Sequence, residues 1–457
     1  MHALRLPGHF RSGLLAWFWA ALAAALFCLA VPEAEAVPSF AVQTGQPCQT
    51  CHVGGFGPQL TAFGRAFKMQ GYTLGSDGVT TPISVMAVAS YVRTQEDQPD
   101  LPAAGFHANG AITLDQASIF VAGRVNAHLG GFVQTTYDGV DKAWAWDNLD
   151  LRAIGRAQIK GADVLYGASL NNSPTVSDPW NTLAAWGYPY TDSALAPSPA
   201  AEPLLSGALA QDSLGLTAYA WINSTVFVEA GAYGSPGANS LARLGADPFD
   251  PGDIDGLAPY GRVALQRGVG GGSLELGAFG LRADIHPGRV ASAGSDRYTD
   301  LGLDASFLKT LGHGGTLTLN GRYTHEQETL DATCALAAMS AGCAKGRLND
   351  LRADASYYRP DGMLGFTIGA FDTFGPANPV LYADDRTLKP DSSGLMFQVD
   401  HTPFGHGGSP LGPRFNVRVG LQYTLYDRFD GARKNYDGLG RNASDNNTAR
   451  VFAWFAY

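Results

Sequence analysis

The chain has 457 residues and a formal net charge of −10. Only 16% of its residues are charged, against roughly 25% in ordinary soluble domains, and it carries no basic block, which speaks against nucleic acid as a partner. Gly is very frequent (57) and aromatics make up 11%; with no long apolar run beyond the N-terminus, this composition suits amphipathic strands better than helical membrane spans.

In chain order, the first segment is a secretory leader. Arg5 and Arg11 form its basic end, Leu14 to Val31 its apolar stretch, and Ala34-Glu35-Ala36 a small-x-small cleavage site. The expectation is a signal peptide over 1–36, with the mature protein starting at 37.

Next comes Cys48-Gln49-Thr50-Cys51-His52. Two thiols three positions apart reach the two vinyl groups of one haem, and the adjacent His becomes the proximal iron ligand. A redox dithiol would need a βαβ frame, and a zinc site two further ligands; neither pattern is present. Cys48, Cys51 and His52 are therefore predicted to hold one covalent haem c. The spacing then predicts a helix over 58–70, closed by Gly71, with Leu60, Phe63 and Phe67 on one face. About forty residues cannot build an adequate core alone, so segment 37–80 must be stabilised by haem or by docking on a larger body. For the distal iron ligand two methionines are candidates. Met86 is in phase with Ser84 and Ser90 on an extended segment, and Met69 lies at the helix end. Met86 is preferred, because its phase turns it from the lipid face; His128, His313, His401 and His406 are held in reserve.

From Ile83 onward the pattern is strand after strand. Phe415, Val417, Val419, Leu421, Tyr423 and Leu425 alternate with Asn416, Arg418, Gly420, Gln422 and Thr424, one apolar and one polar face. Strands of about ten residues match a tilted membrane strand. Short connections (160–163, 222–224, 268–272, 311–315, 360–362) alternate with long ones (172–203, 233–256, 327–347, 373–392, 427–447), the layout of an outer-membrane barrel. Sixteen strands are expected, centred near 88, 117, 133, 154, 167, 213, 228, 262, 277, 304, 320, 353, 367, 397, 420 and 452. The chain closes on an aromatic strand, Val451 to Tyr457. A sixteen-strand lumen is too wide for wall side chains to fill, and a haem segment at or inside its periplasmic mouth would occupy it. Cys334 and Cys343 are expected to form a loop disulfide. Asp247, Asp250, Asp253 and Asp255, then Asp384, Asp385 and Asp391, form acidic loops suited to attracting cations.

Val37-Pro38-Ser39-Phe40-Ala41, Gln43-Thr44-Gly45, the C-x-x-C-H, Phe63-Gly64-Arg65-Ala66-Phe67-Lys68 and Gly71-Tyr72-Thr73-Leu74 resemble the fused outer-membrane cytochrome–porin family of iron(II)-oxidising bacteria. The resemblance is sharp over 37–95 and architectural beyond. It implies a monohaem cytochrome segment (37–80) fused to an outer-membrane β-barrel (81–457). Such a protein would take an electron from extracellular Fe²⁺ and pass it to a periplasmic c-type cytochrome or other carrier. The competing expectations are a diffusion porin with a haem-bearing plug or sensor, and a conduit for a different donor or acceptor.

Overall fold

The computed structural model describes residues 38–75, 82–339, 343, 345–361, 364–406, 409–411 and 415–457. The leader expected at 1–36 and the boundary placed at 80 lie outside the described residues. Those described belong to one compact unit.

Three short helices come first: α1 (Pro38–Thr44), α2 (Cys48–Cys51) and α3 (Ala62–Met69). The strands follow as β1 (Ile83–Thr94), β2 (Ala111–Asn126), β3 (Leu129–Asp138), β4 (Ala143–Ile159), β5 (Ala162–Asn171), β6 (Leu214–Ile222), β7 (Val226–Gly234), β8 (Gly252–Ile254), β9 (Ala258–Val269), β10 (Gly272–Pro287), β11 (Asp296–Thr310), β12 (Thr316–Thr329), β13 (Lys345–Tyr358), β14 (Leu364–Phe374), β15 (Ser392–His401), β16 (Asn416–Arg428) and β17 (Thr448–Ala456). Two loop helices among the described residues are α4 (Ala238–Leu244) and α5 (Asp331–Leu336).

Each strand pairs antiparallel with its neighbour, and β1 pairs with β17 to close the ring, with Met86 opposite Ala456 and Val88 opposite Trp454. The three-residue β8 only extends the edge of β10, while β7 pairs directly with β9, so sixteen of the seventeen strands make the barrel. The predicted centres fall inside their strands, except that 213 lies one residue before β6. Closure leaves no unpaired strand edge, the condition for a sheet to sit in hydrocarbon.

The walls alternate as the sequence pattern requires. On β16, Asn416, Arg418, Gln422 and Thr424 are buried inside, while Val419 and Leu421 are 43% and 51% exposed outside. Val85, Ile119, Val133, Leu216, Val263, Leu276, Leu303, Ile368, Phe397 and Val451 continue this apolar exterior around the ring. An apolar outside over a polar inside is inverted relative to a soluble sheet, and it is the arrangement of a membrane-spanning barrel. No helix among the described residues is long and apolar enough to cross a membrane; here the strands do so.

One loop departs from the expected layout. Residues 172–213 form no strand and fold into the lumen, where Val176, Trp180, Leu183, Leu195 and Leu209 are buried. Its turn is organised by Asp178, whose carboxylate accepts the backbone N–H groups of Trp180 (3.0 Å), Thr182 (2.7 Å) and Leu183 (3.0 Å) and lies 3.3 Å from Arg262 on β9. Buried loop backbone needs such an acceptor. Cys334 and Cys343 are disulfide-bonded, as expected.

Candidate haem site in the barrel lumen

Residues 38–75 lie across the lumen and touch its wall around most of the circumference. Gln59 Nε2 donates to Thr318 Oγ1 on β12 at 2.9 Å, and Arg65 Nη2 to Ser306 Oγ on β11 at 3.0 Å. Tyr72 Oη donates to Asp150 Oδ2 on β4 at 2.7 Å, and Arg124 N on β2 to Gln43 Oε1 at 2.8 Å. From the infolded loop, Val176 O and Asn181 Oδ1 accept Lys68 Nζ at 2.7 and 2.8 Å. These anchors sit in the half of the lumen nearest the chain end and the short turns. The segment that was too small for its own core therefore uses the barrel interior as its core.

Within the segment, α2 carries both cysteines of the motif, unpaired and half-buried, and His52 caps it. Burial pushes the Cys48 thiol up, opposed by a hydrogen bond with the Asn416 side chain. Burial, then Cys48 beside it, raises Cys51 to about 11. His52 is pushed down to about 4 by burial; a bond to the Gly57 carbonyl opposes this and the nearby Arg418 charge adds to it. The imidazole is thus neutral near pH 7, the form that ligates metal. Its Nδ1 is sealed from solvent without a hydrogen-bond partner among the described residues. Two free thiols on one helical turn beside a neutral imidazole with an orphaned nitrogen are a donor set that fits covalent haem.

The helix after the motif starts later than expected. Thr61 caps α3 by accepting Gly64 N–H at 3.2 Å, and its hydroxyl donates to Thr50 O at 2.5 Å. The side chain thus serves helix and motif together, and 58–61 remain extended enough for His52 to bridge Leu60. The face predicted to share Leu60, Phe63 and Phe67 is consequently divided: Phe67 is buried against Phe40 and Tyr72, whereas Phe63 is 37% exposed. Gly64 permits the close crossing, since a Cβ there would lie 2.2 Å from Cys51 O.

The two methionines are in different places. Met86 points inward from β1 and packs with Val88, Phe452 and Trp454 beside Phe56, four residues past His52. Met69 is 4% exposed and buried with Leu165, Trp180, Trp221 and Phe227. Of the reserve histidines, His128 and His313 occupy turns, His401 ends β15, and His406 is exposed in the connection to β16. Among the described residues, no group of three His, Cys, Asp or Glu is arranged to hold a metal ion. The acidic loops are present without forming one: Asp253 and Asp255 flank His286 at 3.6 Å each.

Beyond the segment, toward the long loops, a cavity of about 320 Å³ opens between the infolded loop and the wall. Tyr188, Tyr190, Asp192 and Glu202 line it from the loop, and Arg352 and Tyr426 from the wall. Sequence reasoning did not find this cavity, nor the lumen-facing partners of the segment. The only signal for them was the polar phase of strands such as β16.

No family model matches the chain, and no curated protein does. Solved structures with a similar backbone include the anion-selective porin from Comamonas acidovorans (12% identity, 82% of this chain and 98% of that one, TM-score 0.45). The outer membrane channel DcaP of Acinetobacter baumannii matches at 11% identity over 82% and 96%, TM-score 0.45. The trimer form of OmpT, an outer membrane protein of Vibrio cholerae, matches at 11% over 82% and 98%, TM-score 0.43.

Proposed function

We propose that the chain is an outer-membrane electron-transfer protein that takes electrons from extracellular Fe²⁺ and delivers them to a periplasmic c-type cytochrome or other carrier. Cys48 and Cys51 would hold a haem c and His52 would ligate its iron, with Met86 the preferred distal ligand. Bound haem supplies a one-electron couple; the protein sets its access and potential. The observation that carries the reading is that the C-x-x-C-H segment is fastened across the lumen of a closed barrel. A segment so placed would obstruct solutes and hold its redox group at the short-turn end of the lumen, with the cavity of about 320 Å³ between it and the long loops. Acidic loops would raise the local concentration of a cationic donor.

Stopped-flow absorbance of the purified holo-protein mixed with Fe²⁺ tests this. Appearance of reduced c-haem bands is expected. A second reading, a diffusion porin with a haem-bearing plug, is favoured by the 320 Å³ cavity. No reduction by Fe²⁺ at any pH, together with solute flux through the protein in liposomes, would establish that one instead.

A further inference from the structure

Two inward side chains of β16 hold the three consecutive carbonyls just beyond His52. Asn416 Nδ2 donates to Gly55 O at 3.1 Å, and Arg418 Nη2 donates to Gly54 O at 3.3 Å and also to Phe56 O. Arg418 is itself fixed from behind: Nε donates to Thr402 Oγ1 at 3.3 Å and lies 3.4 Å from Asp400 Oδ1, and the guanidinium sits 5.8 Å over the Tyr358 ring. Both side chains are buried, Asn416 at 1% and Arg418 at 2% exposure.

The backbone makes these donors necessary. Gly54 and Gly55 have φ of +71° and +77°, so the chain turns away from any helical partner for those carbonyls. A Cβ at Gly54 would collide with the Tyr358 ring at 2.3 Å. The loop is therefore pressed on the wall, and its carbonyls would be buried acceptors without partners if β16 did not supply them.

We propose that Asn416 and Arg418 are positioning residues for the haem ligand, locking the His52 loop to the wall while the Arg418 charge favours the reduced iron. This rests on the haem reading above. A buried cation stabilises the state of lower positive charge nearby. Removing Arg418 would also leave Asp400 unpaired, which shifts the balance the same way.

The test uses full-length holo-protein in detergent micelles, with Arg418→Gln, Arg418→Lys and Asn416→Ala. The midpoint potential is expected to fall in Arg418→Gln and to be largely restored in Arg418→Lys. In Asn416→Ala, protease cleavage between residues 45 and 60 is expected to accelerate on the order of tenfold, as loss of a buried hydrogen-bond partner allows. An unchanged potential in Arg418→Gln overturns the electrostatic role, and unchanged cleavage in Asn416→Ala overturns the lock. Should Arg418→Gln fail to fold, Asn416→Ala decides the lock, and Asp400→Asn, which removes the carboxylate 3.4 Å behind Arg418, decides the effect on potential: a rise supports the electrostatic role and an unchanged potential overturns it. Absence of a pyridine haemochrome band in wild type refutes the haem reading, and the electrostatic role with it; the cleavage comparison on that haem-free chain still decides the lock.

Discussion

Tyr219 Oη donates to the carbonyl of Met69 at 2.7 Å, pinning the end of α3 to β6. Beside it, Arg152 Nη1 donates to Lys68 O at 3.3 Å. The backbone at Met69 is thus committed to the wall, and its side chain lies among aromatic residues there. Met86, on β1, shares its cluster with Phe56 of the loop that follows the C-x-x-C-H motif.

The two methionines should accordingly answer differently to truncation. Met69→Ala is expected to weaken docking of the segment by about 2–5 kcal/mol, the range for a buried large-to-small change, with the visible spectrum of the haem unaltered. Met86→Ala is expected to abolish the Met–iron absorption band and lower the midpoint potential, since a Met axial ligand raises it. Spectra and redox titrations of the two variants check this; loss of the band in Met69→Ala alone would reverse the assignment.

A pH dependence is expected in the loops at the far end. Burial, then Asp430 and Asp384, raises the Asp385 carboxyl to about 7, and burial raises Asp430 to about 6. Loops 375–391 and 429–447 are joined there, with Arg386 N donating to Tyr436 O at 3.1 Å and Gly431 N to Asp391 O at 2.9 Å. A raised carboxyl keeps in the folded loop a proton that the opened loop releases above pH ~4. Loop stability should thus be fullest in acid and fall as pH rises through about 6 to 7. Hydrogen exchange of residues 375–391 at pH 4.5 and 7.5 measures it, and Asp385→Asn should flatten the difference.

Most of the barrel was legible because a lipid-facing wall imposes period 2 on every strand. β16 shows why: the outward residues Val417, Val419, Leu421, Tyr423 and Leu425 are all apolar or aromatic, while the inward ones between them, Arg418, Gly420, Gln422 and Thr424, are not. The infolded loop 172–213 has no such constraint. Leu183, Leu204, Leu205 and Leu209 bury at irregular spacing, so nothing in their order distinguishes an inward fold from an outer loop. In the site, Cys48, Cys51 and His52 were readable from local spacing alone. Asn416 and Arg418 were not, because the residues they hold lie 361 and 364 positions away. Their inward phase announced a polar lumen face but named no partner.

The Cys334–Cys343 bond closes a short loop between β12 and β13, remote in sequence from the C-x-x-C-H segment. A disulfide closing a loop of this size is worth about 2–3 kcal/mol when unstrained, and Leu330, Tyr298 and Val380 pack against it at the long-loop end. The Cys334→Ser/Cys343→Ser protein is expected to keep its haem content and its heat-modifiable gel mobility, with faster proteolysis confined to 330–344. Loss of haem in that variant would mean that these loop cysteines take part in maturation of the site.

Gly64 gives the sharpest separation of segment from barrel. Its Cα faces Cys51 where α3 crosses the C-x-x-C-H motif, and an added methyl would sit 2.2 Å from the Cys51 carbonyl and 3.1 Å from Leu60 Cδ2. The obstacle is backbone, which cannot swing aside, so Gly64→Ala must push α3 from α2 at a cost of about 1–3 kcal/mol or more. The wall does not depend on this contact, because its strands pair only with one another. Gly64→Ala is therefore expected to insert as a barrel with normal heat-modifiable mobility, yet with reduced covalent haem per chain by pyridine haemochrome. Wild-type haem content in that variant would show that α3 need not close over Cys51 for the motif to be loaded.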